Sequence, residues 1–180
     1  MLEGFSNRCT WFLTLAFALP VAAQTSLVSP ASLLQPLSTD WPSYSGDYTG
    51  QRFSRLTQLD RGNVQHLTLA WTQRMSNELR GAVISGGEGK GDFPLGQASM
   101  KGTVLEVAGV LYVTSPDHVW AIDGRDGREL WHYFWKTRGG THIGNRGAAM
   151  WRDSLLFETP DNYLVSLDAA TGKERWNVEI

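Results

Sequence analysis

Four histidines, His66, His118, His132 and His142, are the first residues in this sequence that chemistry would recruit. A neutral imidazole ligates metals and moves protons near neutral pH. Their spacing argues against a metal site, because no two of them, and no His and Cys, stand at the short intervals that such sites use. His118 falls in an expected turn and His66 in the short segment Asn63 to Leu67. Surface or turn positions are therefore expected of all four. Cys9 is the single cysteine, and it stands in a segment expected to be removed. The rest of the chain then offers no disulfide, no thiolate nucleophile and no Cys-based metal site. Gly86-Gly-Glu-Gly-Lys-Gly91 is glycine-rich enough to suggest a phosphate loop. That chemistry needs a Gly six residues before the Lys and a Ser or Thr after it, and Ile84 and Gly91 hold those places. Ser85 to Asp92 is expected as a loop between strands. No Gly-x-Ser-x-Gly elbow occurs, so a hydrolase of that kind is not supported.

The strongest pattern is a repeat. Ala121-Ile-Asp123-Gly-Arg-Asp-Gly127-Arg-Glu-Leu-Trp131 returns as Ser166-Leu-Asp168-Ala-Ala-Thr-Gly172-Lys-Glu-Arg-Trp176, with Asp, Gly and Trp all displaced by 45 residues. Pro116-Asp117 returns as Pro160-Asp161, displaced by 44. A period of this length built from short strands marks the blades of a propeller. In the first copy the strands are expected at 103–107, 110–114, 119–123 and 129–134, with Ala108-Gly109 as a tight hairpin. In the second they are expected at 148–151, 155–158, 163–167 and 174–178. The Asp accepts hydrogen bonds from turn N–H groups. The Gly takes a positive φ without steric cost. The Trp supplies a broad apolar face to pack between neighbouring blades.

The pattern Ala-x-Asp-x-x-x-Gly-x-x-x-Trp resembles the tryptophan-docking motif of quinoprotein propellers. Asp40-Trp-Pro-Ser-Tyr-Ser-Gly-Asp47, Arg52-Phe-Ser54 and Asn63-Val-x-x-Leu67-x-x-Ala70-Trp71 resemble the opening of the pyrroloquinoline quinone (PQQ)-dependent methanol and ethanol dehydrogenases. The resemblance implies an all-β fold: a partial quinoprotein-type propeller, with about two four-stranded blades of a presumed eight. It implies a parent that oxidises alcohols in the periplasm. PQQ and calcium lie near the axis of that family's propeller, and an Asp serves as base. Asn145-Arg146-Gly147 matches a family motif whose Arg contacts the polar edge of PQQ, which makes Arg146 the first candidate cofactor ligand. A guanidinium fork suits the quinone carboxylates. The alternative is a turn arginine paired with a neighbouring carboxylate. The family places a Glu near the start of the first inner strand, where this sequence has Lys101, the second candidate. An adjacent Cys-Cys pair is usual just before the Arg motif, where this sequence has Gly140-Thr141. The calcium ligands and the catalytic Asp lie further along in the family than Ile180. The implied partners are the remaining blades, a small alcohol and an electron acceptor such as a cytochrome c. The alternative is a cofactor-free propeller serving as a binding or scaffold module.

The formal charge of −2 and the 42% apolar content are ordinary for a soluble protein, with no basic excess to engage nucleic acid. Arg8 followed by the apolar run Trp11 to Val21 and by Val21-Ala22-Ala23 has the layout of a secretory signal peptide cleaved after Ala23. The run falls short of the roughly 20 apolar residues that span a bilayer. The expected organisation is a signal peptide at 1–23, a linker at 24–39 and the propeller part at 40–180. Within the last, 40–101 forms a lead-in segment and closing-strand region, and blades occupy 102–137 and 145–180.

Overall fold

A computed structural model describes residues 27–75, 83–85, 92–94, 100–136 and 146–180. Expectations that fall elsewhere lie outside these residues: the signal peptide, the loop interior at 86–91, Gly140-Thr141, His142 and Asn145.

The described strands form three antiparallel sheets. β1 (Val83–Ser85) and β2 (Asp92–Pro94) make a small hairpin. The first blade is β3 (Leu105–Val107), β4 (Val110–Ser115), β5 (His118–Asp123) and β6 (Glu129–Phe134), paired in that order. The second is β7 (Ala149–Trp151), β8 (Ser154–Glu158), β9 (Tyr163–Asp168) and β10 (Glu174–Glu179), again paired in sequence. The β3–β4 hairpin turns at Ala108 and Gly109, with φ of 52° and 81°. Two consecutive positive φ values are the signature of the turn whose twist matches paired strands.

The two blades share one core. Leu105, Val107, Tyr112, Val119 and Ala121 of the first pack with Met150, Leu155, Phe157, Val165 and Leu167 of the second. The Tyr112 hydroxyl donates to Ala169 O across the interface at 3.2 Å. β5 is buried along its whole length, because one face meets the second blade. The opposite face, with Trp120 and Ile122, packs with Val113, Trp71 and Met75.

The expected linker at 24–39 is corrected in its described part. From residue 27 the chain folds onto the second blade. Val28 N–H donates to Arg152 O at 3.0 Å, and Val28, Leu33 and Leu37 are buried. Its Ser, Pro and Ala content suggested a tether, but three spaced aliphatic side chains suffice to seat it. A 3₁₀ turn at Ser32–Leu34 aims Leu33 inward.

Candidate cofactor-binding site

The repeated Asp, Gly and Trp fix how the blades abut. Gly127 and Gly172 adopt φ of 75° and 69°. A Cβ on Gly172 would lie 2.6 Å from the Trp131 indole, and one on Gly127 would lie 2.4 Å from that of Trp71. Each indole therefore lies flat on a turn that only glycine makes. Each also donates to a carbonyl of that turn: Trp131 Nε1–H to Ala169 O at 3.0 Å and Trp71 Nε1–H to Gly124 O at 3.2 Å. Trp71 thus plays for the first blade the part that Trp131 plays for the second. The turn carboxylates are pinned as well. Asp123 Oδ1 accepts from Arg125 N at 3.0 Å, and the Arg125 guanidinium holds the Asp123 carboxyl well below the usual range. Hydrogen bonds from Arg175 and then Thr171 act likewise on Asp168.

At the opposite end of the blades the starts of β3 and β7 meet. Thr103 N–H donates to Arg146 O at 3.1 Å, and Thr103 and Gly147 form a parallel bridge. The backbones touch here. A Cβ on Gly102 would lie 2.7 Å from both Gly147 Cα and Thr114 Oγ1, and Gly147 itself has φ of 122°. This close approach brings together the stretches that carry Lys101 and Arg146. Both cations are exposed. Neither takes part in an ion pair among the described residues, which gives no support to the turn-arginine alternative for Arg146. Two cations without a carboxylate partner among the described residues, beside a tight backbone junction, are of the right charge for a ligand with several carboxylates. A guanidinium and an ammonium are donor types that the carboxylate edge of PQQ would call for. Among the described residues no group of three or more His, Cys, Asp or Glu could hold a metal ion, so no residue here is assigned to calcium.

The histidine expectation is corrected for His118, while His132 is exposed on β6 as expected of a surface residue. His118 opens β5 and is buried at 3% exposure, because the turn before it is only Pro116-Asp117. Its Nδ1 lies 2.8 Å from His132 Nε2, and its Nε2 lies 3.5 Å from Asp117 Oδ1. The signal that would have found this pair is strand register. His118 and Trp120 share one face of β5, and Trp120 is paired with His132 on β6.

The fold defines a class: a protein of four-stranded blades locked by tryptophans, with a backbone junction where successive first strands begin. Comparison with known proteins gives the family. The glucose/ethanol/alcohol dehydrogenase β-propeller domain (PQQ) matches residues 41–177, and the chain belongs to that family. It is 34% identical, over 93% of its length, to the quinohemoprotein alcohol dehydrogenase ADH IIB of Pseudomonas putida, and covers 23% of that protein. It is 33% identical, over 97% of its length, to the quinohemoprotein alcohol dehydrogenase of Comamonas testosteroni, and covers 25% of it. The structure of quinohemoprotein alcohol dehydrogenase ADHIIG from Pseudomonas putida superposes with a TM-score of 0.69 at 28% identity, over 87% of this chain and 22% of that one. The chain thus spans about a quarter of the length of these relatives. The all-β, two-blade reading of the repeat and the resemblance to PQQ-dependent alcohol dehydrogenases both hold.

Proposed function

We propose that the chain forms the first blades of a PQQ-dependent alcohol dehydrogenase and supplies two cations, Arg146 and Lys101, to the carboxylate edge of the quinone. The observation that carries this is the Thr103–Gly147 junction, which sets the two cation-bearing stretches side by side. Arg146 offers a planar fork for a carboxylate, while Lys101 offers a compact charge. The close backbone contact between Gly102 and Gly147 supports this reading, because it keeps the residues next to each cation together. When bound, PQQ would take up the electrons of alcohol oxidation. Further blades would supply the calcium ligands, the base and the alcohol pocket, with a cytochrome c as a suitable acceptor. Export to the periplasm, with cleavage after Ala23, belongs to this reading. An intact mass of the mature protein beginning at Gln24 is the expected result.

The test is titration of the complete parent protein with PQQ and calcium, followed by quinone absorbance and dye-linked alcohol oxidation. Arg146→Gln should weaken PQQ binding about tenfold or more, as expected for a lost charge-assisted hydrogen bond of ~1.5–3 kcal/mol. Unchanged binding in that variant removes Arg146 from the site. A second reading has its own support, since Lys101 and Gly140-Thr141 stand where the resemblance implies Glu and a Cys pair. On that reading the propeller is a cofactor-free binding or scaffold module, and PQQ neither binds nor supports oxidation.

A further inference from the structure

Because the blades are copies, a difference between them at one position is informative. In the second blade Asp161 Oδ1 accepts from Trp135 Nε1–H at 2.7 Å and from Thr159 Oγ1–H at 2.6 Å. Trp135 stands four residues after the docking Trp131. Four residues after Trp71 the sequence has Met75, which packs with Val113, Trp120 and Ile122. A thioether donates no proton. Asp117, the counterpart of Asp161, therefore lacks the indole. Its side chain is 1% exposed, and neither carboxylate oxygen has a hydrogen-bond partner among the described residues. A buried carboxylate left in that state is costly.

What faces Asp117 is a row of imidazoles. His118 Nε2 is 3.5 Å from Asp117 Oδ1, and its Nδ1 is 2.8 Å from His132 Nε2. The two rings are nearly coplanar, with centroids 5.0 Å apart and planes at 18°. Trp120 and Phe134 stack against His118, with centroids at 5.2 and 4.7 Å, and hold the row in place. His118 is buried, whereas His132 is exposed to solvent.

We propose that His132, His118 and Asp117 form a proton relay that loads and unloads a buried carboxyl from the solvent. With Asp117 ionised, each imidazole carries its proton on Nε2, His132 donating to His118 and His118 facing the carboxylate. A solvent proton then binds His132 Nδ1. The Nε2 proton of His132 passes to His118 Nδ1, and the Nε2 proton of His118 passes to Asp117. One proton has entered, the carboxylate has become a carboxyl, and both imidazoles are again neutral with their protons on Nδ1. Burial raises the Asp117 carboxyl to about 6 and, with the charge of His132, lowers His118 to about 4. The carboxyl is thus the resting place of the proton. The other ionisable group acting on the row, among the described residues, is Glu129 on β6, whose charge raises His132 against a lowering by burial.

Infrared difference spectra of the full chain with ring-labelled histidine test this, and they tolerate an oligomeric sample. Acidification from about pH 8 to about pH 5 spans the Asp117 titration near 6. The carbonyl stretch of a neutral carboxylic acid should appear with its midpoint near there, together with conversion of two imidazoles from the Nε2–H to the Nδ1–H form. Asp117→Asn should abolish the carbonyl band and the tautomer change, while Asp126→Asn, at an exposed carboxylate, should leave both. Two results would overturn the relay: histidines that become imidazolium near pH 6.5 with no carboxylic band, or a band that survives Asp117→Asn. The unsubstituted chain carries the tautomer readout by itself, so the test does not depend on any variant folding.

Discussion

At the scale of single residues, conformation and contact make separable contributions. Gly109 and Gly172 both have positive φ, 81° and 69°. A Cβ on Gly109 meets nothing within 4 Å, whereas one on Gly172 meets Trp131 at 2.6 Å. Gly109→Ala should therefore cost about 1 kcal/mol, the strain of a left-handed residue. Gly172→Ala adds overpacking and should cost about 3 kcal/mol. Urea denaturation of both variants measures the difference, and equal losses would mean that the indole does not press on the turn. The Asp117 row predicts a pH signature. The Asp117 pKa is raised, so its contribution to stability is present below about 4 and is lost as pH rises through about 6. The His118 pKa is lowered, so its contribution is present above about 6.5 and is lost as pH falls through about 4. Between pH 4 and 6 the two slopes oppose each other. Asp117→Asn should unmask the histidine, so that stability rises from pH 4 to 6.5, as followed by urea midpoints. A flat profile in that variant would count against the burial of His118. None of this was legible residue by residue, since Asp117 and His132 are 15 positions apart in the sequence. By contrast, Arg146 and Lys101 were reached only through a family motif, and what the structure adds is the junction that joins their stretches.

At the scale of elements, the repeat made the strands readable because each is bounded by a turn with its own chemistry. The Ala108-Gly109 hairpin, the Asp123–Gly127 turn and the Asp168–Gly172 turn delimit β3 to β6 and the end of β9 to within a residue or two of expectation. The segment before Asp40 was misread for the opposite reason. It has no period and no turn signature, and its three buried aliphatics become visible only against the sheet that receives them. Its contribution is testable. Leu33 sits in the shared core with Met150 and Phe157. Leu33→Ala should cost about 2 kcal/mol, the low end for a buried leucine at a site able to relax. A loss below ~0.5 kcal/mol would restore the linker reading.

At the scale of the whole molecule, the docking tryptophans give the assembly a direction. Trp71 lies on the turn of the first blade and Trp131 on the turn of the second. Trp176, third in the series, is 45% exposed, and β10 is exposed along its whole length. A six-residue strand paired on one side only among the described residues, with an exposed Trp and Val178, is a template for pairing with another chain. A head-to-tail contact between copies of this chain meets an obstacle, because the turn glycine of the first blade is already covered by Trp71 within the same chain. Self-association would then have to use strand edges rather than the docking geometry, and edge pairing does not close into a defined ring. In the proposed full-length protein a further blade would present its own turn glycine to Trp176. The chain on its own should therefore run on sizing columns as a broad, concentration-dependent oligomer. Trp176→Lys with Val178→Lys, which places charge on the edge, should shift it toward monomer without weakening the shared core between the blades. A sharp monomer peak with a cooperative melt in the unsubstituted chain would show that two blades are self-sufficient and that the exposed face needs no partner.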